Sequence, residues 1–147
     1  MDVDAVMNIS EVSWLDIVPW KYLELPHPFN MSDYIGFVYE ITEKDTGMKY
    51  IGIKKFWKKN KKKEKVQSDW RTYNSSCKQL ALKMKRDPDN YEKTIVHLCK
   101  SITEMKVAEA CKQLDYYRAG RWDELYNQMI HLRVRLRKEK DKSDQNI

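Results

Sequence analysis

The chain has 147 residues, with 28 lysines and arginines against 22 acids, a net charge of +6 and a mean hydropathy of −0.80. That length supports one core without disulfide or metal staples, and the basic excess favours an anionic partner. No apolar run approaches the roughly 20 residues that cross a bilayer, so no membrane partner is expected.

Residues 1–34 carry Trp14, Trp20, Leu23 and Leu25 but also Pro19, Pro26 and Pro28. This mixture predicts an irregular, partly helical arm over one edge of a sheet. Phe37, Tyr39 and Ile41 then alternate with Val38 and Glu40, and Tyr50-Ile51-Gly52-Ile53 follows Asp45-Thr46-Gly47. Period-two apolar runs around a glycine-containing loop predict a β-hairpin over residues 35–43 and 48–57, which can set Tyr39 and Tyr50 side by side. Residues 58–67 read as a lysine-rich loop too like-charged to pack. Ser75 or Ser76 can cap a helix whose stripe is Cys77, Leu80, Ala81 and Met84, ended by Asp87-Pro88-Asp89-Asn90. Tyr91 to Cys99 reads as a third strand, weighted by Ile95, Val96 and Leu98.

Ser101-Ile-Thr-Glu104 is a capping-box pattern that opens a second helix. At helical spacing Val107, Ala110, Cys111, Leu114 and Tyr117 form the broad stripe expected to face the core. Ile102, Met105 and Tyr116 form a narrower one, and Glu109 falls among them. A carboxylate between apolar neighbours requires a cation or a raised pKa. Ala119-Gly120 stops the helix, and the amphipathic segment from Glu124 to Arg133 fits helix or strand. Residues 136–147 read as a charged, disordered tail.

Charge is unevenly placed. Between Lys54 and Lys65 stand eight lysines and one acid, Glu64, and a second basic run spans Arg133 to Lys142. Phe56, Trp57 and Trp70 flank the first run, a mixture of cations and rings suited to nucleic acid. Lys55, Lys58, Lys59, Lys61, Lys62, Lys63, Trp57 and Trp70 are the candidate contacts, with a solvated loop as the competing reading. Cys77, Cys99 and Cys111 show no CxxC or Cys/His spacing, so a zinc site with His27, His97 or His131 is not expected. Their odd number, with no signal-peptide-like start, fits reduced thiols in a cytoplasmic protein.

The stretch FVYEITEKDTGMKYIG resembles the signature of the GIY-YIG nuclease superfamily, with YIG intact and FVY in place of GIY. The order hairpin, helix, strand, glutamate-bearing helix and asparagine extends the resemblance over residues 35–135. Phe56-Trp57, Ser68-Asp-Trp70 and Tyr73-Asn-Ser-Ser76 are similar to small GIY-YIG proteins of tailed phages, which implies a phage origin and action in host cytoplasm. The resemblance implies an α+β fold, a small three-stranded antiparallel sheet flanked by helices. It also implies a DNA endonuclease using one Mg2+ or Mn2+ ion on Glu109, with Tyr39 as general base helped by Tyr50, and Asn127 as the downstream asparagine. The family arginine, expected about ten residues beyond YIG, is missing. Lys54, on the face of Tyr50 and Gly52 by alternation, and Arg71, the first arginine in the chain, are both expected in the site, with either one taking its role. One active site per chain leaves nicking by a monomer or cutting by a transient homodimer open. The alternative is a catalytically inactive nucleic-acid-binding module of the same fold.

Overall fold

The structure is a computed structural model that describes residues 18–22 and 29–135; the remainder of the arm, including Trp14, Leu23 and Leu25, and the tail from residue 136 lie outside the described residues. In chain order the elements are Trp20–Tyr22 (β1), Gly36–Glu43 (β2), Lys49–Lys55 (β3), Trp57–Lys59 (β4), Lys65–Gln67 (β5), Lys78–Arg86 (α1), Tyr91–Cys99 (β6) and Ile102–Arg118 (α2). The main sheet runs β1-β6-β2-β3. Its β6, β2 and β3 strands are antiparallel, as the hairpin and third-strand patterns predict. The arm contributes β1, which pairs parallel with β6. The fold is α+β.

The alternation in β2 drives two cores, one on each face of the sheet. Phe37, Tyr39 and Ile41 point into a cluster with Phe56, Trp70, Leu80, Met84, Tyr91 and Ile95. Its rings meet mainly edge to face, such as Phe37 on Trp20 with centroids 5.1 Å apart and Phe56 on Trp70 at 5.0 Å. On the opposite face Val38 and Ile51 meet Cys99 and Met105. Burial of each such side chain contributes about 1.5–3 kcal/mol, so the central strand secures both layers. The hairpin turns through Gly47, whose φ of +77° favours glycine and whose amide donates to the Glu43 carbonyl at 2.8 Å.

Four local expectations are corrected. The lysine-rich stretch is not a loop throughout: β4 and β5 pair as a second hairpin, turned at Asn60, whose Oδ1 accepts from the Lys62 and Glu64 amides. Neither serine caps α1; its N-cap is Cys77, with no side-chain hydrogen bond. In α2 the core face follows neither stripe in full. Met105 and Tyr116 of the narrower stripe and Ala110 of the broad one face inward with Gln113, while Ile102, Leu114 and Tyr117 are exposed. The reason is local: Gly36 leaves a gap beside Met105 Cε that a Cβ would fill, and the helix docks by the face that plugs it. The segment after α2 is neither helix nor long strand. A 3₁₀ turn, Trp122–Glu124, leads into extended chain bridged to β3 at Lys49 and Leu125. The N-cap half of the capping box forms, with Ser101 Oγ accepting from the Glu104 amide, while Glu104 reaches back to the Lys100 amide, one residue before the cap.

Lys93 is fully buried on β6, donating to the Tyr73 carbonyl at 2.6 Å and to Asn74 Oδ1 at 3.2 Å, with its ammonium 4.3 Å from the Trp20 ring centre. It thereby ties the segment before α1 to the sheet. Burial pulls its pKa down to about 7. An unfolded lysine titrates near 10.4, so from about pH 7 to about pH 10 the unfolded chain binds more protons and stability rises with pH. The urea midpoint of the wild type should therefore rise between pH 7 and pH 9 relative to that of Lys93→Met. Parallel curves for the two proteins would contradict a depressed Lys93.

Candidate active site

Tyr39 pairs with Gly52 across the hairpin and Ile41 with Tyr50, so both tyrosines lie on one face, with ring centroids 6.2 Å apart. Their environments differ. Tyr39 is 0% exposed, and its hydroxyl makes no well-formed hydrogen bond among the described residues, its polar neighbours being Tyr73 and the Ser76 backbone. Any Cβ at position 52 would collide with that hydroxyl, so glycine there is a packing requirement. Burial first, then the neighbouring Tyr73 and Tyr50, hold Tyr39 far above the ordinary tyrosine pKa. Tyr50 is half-buried, with its hydroxyl 2.8 Å from Ser76 Oγ. Burial raises its pKa as well, and the Ser76 hydrogen bond opposes the rise.

Tyr50 opens onto a cleft of about 450 Å³ whose walls include Cys77, Glu109, Gln113, Asn127 and His131. Because β3 is the sheet's edge strand, Tyr50 enters from one face and α2 supplies Glu109 from the other. Asn127 behaves as a one-residue strand. Its Oδ1 accepts from the Ile51 amide at 2.9 Å and its Nδ2 donates to the Ile51 carbonyl at 2.8 Å. Both ends of its amide are thus committed to holding chain against the edge.

Glu109 makes no hydrogen bond or ion pair among the described residues. Burial raises its pKa, with His131 opposing. One turn later Gln113 is 3% exposed, and its buried Oε1 also lacks a partner. A carboxylate and an orphaned amide oxygen on one cleft wall are the donor types that fit a hard divalent cation such as Mg2+ or Mn2+. Gln113 was missed in the sequence, although its spacing of four from Glu109 places it on the same helical face. Tyr73 and Ser76, which surround the two tyrosines, had no sequence signal for that role. The fold also gathers His97, Cys99 and Glu104 within 4.8 Å, a cluster invisible in the cysteine spacing. There Glu104 is engaged by His97 at 2.9 Å and by the Lys100 amide.

The candidate replacements for the family arginine stand away from the cleft lining. Lys54 pairs with Asp69 at 2.6 Å, which holds that carboxyl below the usual range, and lies 4.0 Å from the Tyr73 ring centre. Arg71 precedes α1 instead of starting it, stacks 4.5 Å from the Trp70 ring centre and has a buried Nε without a partner among the described residues. Trp70 is a correction to the nucleic-acid set: at 3% exposure it is a core residue, because Phe37 and Phe56 enclose its ring. Trp57 is half-buried and donates to the Tyr34 carbonyl at 3.0 Å. Lys55 ends β3, Lys58 and Lys59 lie on β4, and Lys61, Lys62 and Lys63 lie on the exposed turn.

The poorly bonded hydroxyl of Tyr39 has a measurable consequence. Removing a buried polar atom without a well-formed hydrogen bond costs little, so Tyr39→Phe should change stability by less than about 1 kcal/mol in urea unfolding. Asn127→Ala should cost about 1–3 kcal/mol, since it strips two hydrogen bonds and leaves the Ile51 amide exposed to exchange. A Tyr39→Phe protein less stable than Asn127→Ala would reverse that assignment.

The family model described as "Putative endonuclease segE, GIY-YIG domain" matches residues 20–130. Neither a curated protein nor a solved structure shows significant similarity to the chain. The matched span contains both tyrosines, Glu109, Gln113 and Asn127, and it covers well over half of the sequence. This chain belongs to the GIY-YIG endonuclease family of that description, and its domain is of nuclease type.

Proposed function

We propose that the protein is a divalent-metal-dependent DNA endonuclease whose reaction takes place in the cleft at the β3 edge. The observation that carries this reading is the convergence of the Tyr50 hydroxyl and the uncompensated Glu109 carboxylate on one cleft. Hydrolysis requires water to attack phosphorus in line with the leaving 3′ oxygen, forming one P–O bond as the P–O3′ bond breaks. Glu109, with the Gln113 oxygen beside it, would hold one Mg2+ or Mn2+ ion. Such an ion, when bound, neutralises charge on the phosphate and the leaving oxygen. The proton of the attacking water goes to Tyr50, whose hydroxyl reaches solvent and is oriented by Ser76. Tyr39 is too deeply enclosed to touch water, and it acts behind Tyr50 as a packed positioning residue.

Lys54 and Arg71 work at one remove. Lys54 orients Tyr73 against Tyr39, and Arg71 stays in the aromatic wall on Trp70. Asn127 keeps the cleft's outer wall on β3. Lysines of the second hairpin meet DNA phosphates, which supply most sequence-independent affinity. Among the described residues no helix is long and apolar enough to cross a membrane, and a DNA substrate places the protein in the cytoplasm, for a phage protein that of the host. A monomer nicks one strand; a transient homodimer on DNA cuts both. The inactive binding module is the second reading, favoured by the raised pKa of both tyrosines and the absence of an arginine from the cleft lining.

Supercoiled plasmid incubated with Mg2+ or Mn2+ tests the choice. The wild type should yield nicked or linear product, Glu109→Gln none, and Tyr50→Phe about a hundredfold to ten-thousandfold less, the usual range for a lost general base. If the Tyr50 phenolate is the acceptor, log rate should climb by about one per pH unit from pH 6 to 9, because the raised pKa keeps the ionised fraction small throughout. Plasmid bound but uncut across metals would establish the inactive module.

A further inference from the structure

A second concavity lies away from the cleft, at the far end of β3. It encloses about 590 Å³, and five lysines stand around it: Lys55 from β3, Lys58 and Lys59 from β4, Lys65 from β5, and Lys100 just beyond β6. Four separate stretches of chain converge to place them. None of the five forms an ion pair among the described residues, and the lining holds one acid, Asp33. Lys65 sits 4.6 Å from the Trp57 ring centre and Lys100 lies 5.8 Å from that of Tyr34. Those rings are themselves joined through the Trp57 Nε1 bond to the Tyr34 carbonyl, so the wall is rigid. Five ammonium groups against one carboxylate in the lining of one low-dielectric concavity focus a positive field and favour a bound polyanion.

We infer that this groove is a second DNA-backbone subsite, about five base pairs from the point of cleavage on one side of it. The inference rests on the nuclease reading for its ligand and on β3 for its spacing. Lys55 is five residues beyond Tyr50 on one strand. At about 3.3 Å per residue that is roughly 17 Å, or about five steps of B-form DNA at 3.4 Å each. With the Trp57 ring covered by Lys65, the groove offers charge and a fixed wall instead of a free stacking platform. It therefore holds phosphates without reading bases. Lys65 and Lys100 belong to this subsite together with part of the lysine run.

Phosphate-ethylation interference on a 20-base-pair duplex, with the full chain and chelator present, tests the subsite without requiring cleavage. The wild type should show two clusters of sensitive phosphates about five base pairs apart. The double variant Lys65→Gln/Lys100→Gln, with an unchanged urea midpoint, should lose one cluster and keep the other. Its log–log salt slope should flatten by about two, near 0.9 for each phosphate that is no longer neutralised. Lys85→Gln/Lys106→Gln, at exposed positions of α1 and α2 that line neither concavity, should leave both clusters in place. A single cluster in the wild type, or an unaltered pattern in the double variant, overturns the subsite. So does polyglutamate that displaces DNA from the wild type at equal charge, which would assign the groove to an acidic protein partner. Two clusters in a protein that cuts no plasmid would retire the nuclease reading and leave the groove standing.

Discussion

The packing of Tyr39 against Gly52 is the constraint on which the rest of the site depends. A tyrosine ring can cross to the neighbouring strand only where that strand carries no side chain, and a Cβ at position 52 would occupy the space its hydroxyl fills. That fit sets the hairpin register, which in turn brings Tyr50 opposite Ile41 and onto the same face as Tyr39. A slip of one residue would send Tyr50 to the other face, among the residues beneath α2. The glycine of YIG thus serves its tyrosine neighbour across the strand pair, and the tyrosine of YIG is positioned as a consequence.

The site is built around a strand edge and not within a face. An exposed edge leaves backbone donors and acceptors unpaired, and proteins cover or use them. Here Asn127 covers Ile51 with both ends of its amide, and the Tyr126 amide donates to the Lys49 carbonyl at 2.6 Å. The chain that follows α2 is thereby fastened to β3 and becomes the outer wall of the cleft. Groups from opposite faces, Tyr50 and Glu109, can then meet without either crossing the sheet.

Charge is handled differently in the two halves of the molecule. Several acids find partners within the chain: burial raises the pKa of Glu43, yet hydroxyls of Thr46, Tyr91 and Tyr126 outweigh it and lower it. Asp69 has Lys54, and Glu104 has His97 and the Lys100 amide. Against that background the lone Glu109 and the unpaired lysines at the far end of β3 stand out as groups whose partners come from outside the chain. Their separation along one strand gives the protein a cleavage end and a holding end.

The sequence by itself determined the local elements and the motif. Alternation around Gly47 specified the hairpin, and β-branched weight specified β6. Ser101 and Glu104 specified the start of α2, since each of these signals acts between residues a few positions apart. Glu109 was legible for the same reason, as a carboxylate out of place on an apolar face. What only the tertiary structure decided depends on contacts between distant segments. The choice of α2 face came from the gap at Gly36, nearly seventy residues before Met105 in the chain. The enclosure of Trp70 came from Phe37 and Phe56, and the burial of Lys93 from Trp20 and the Tyr73–Asn74 segment. The unequal exposure of two tyrosines that look equivalent in the motif is of this kind as well. Burial is a property of what packs over a side chain, and no spacing along the chain encodes it.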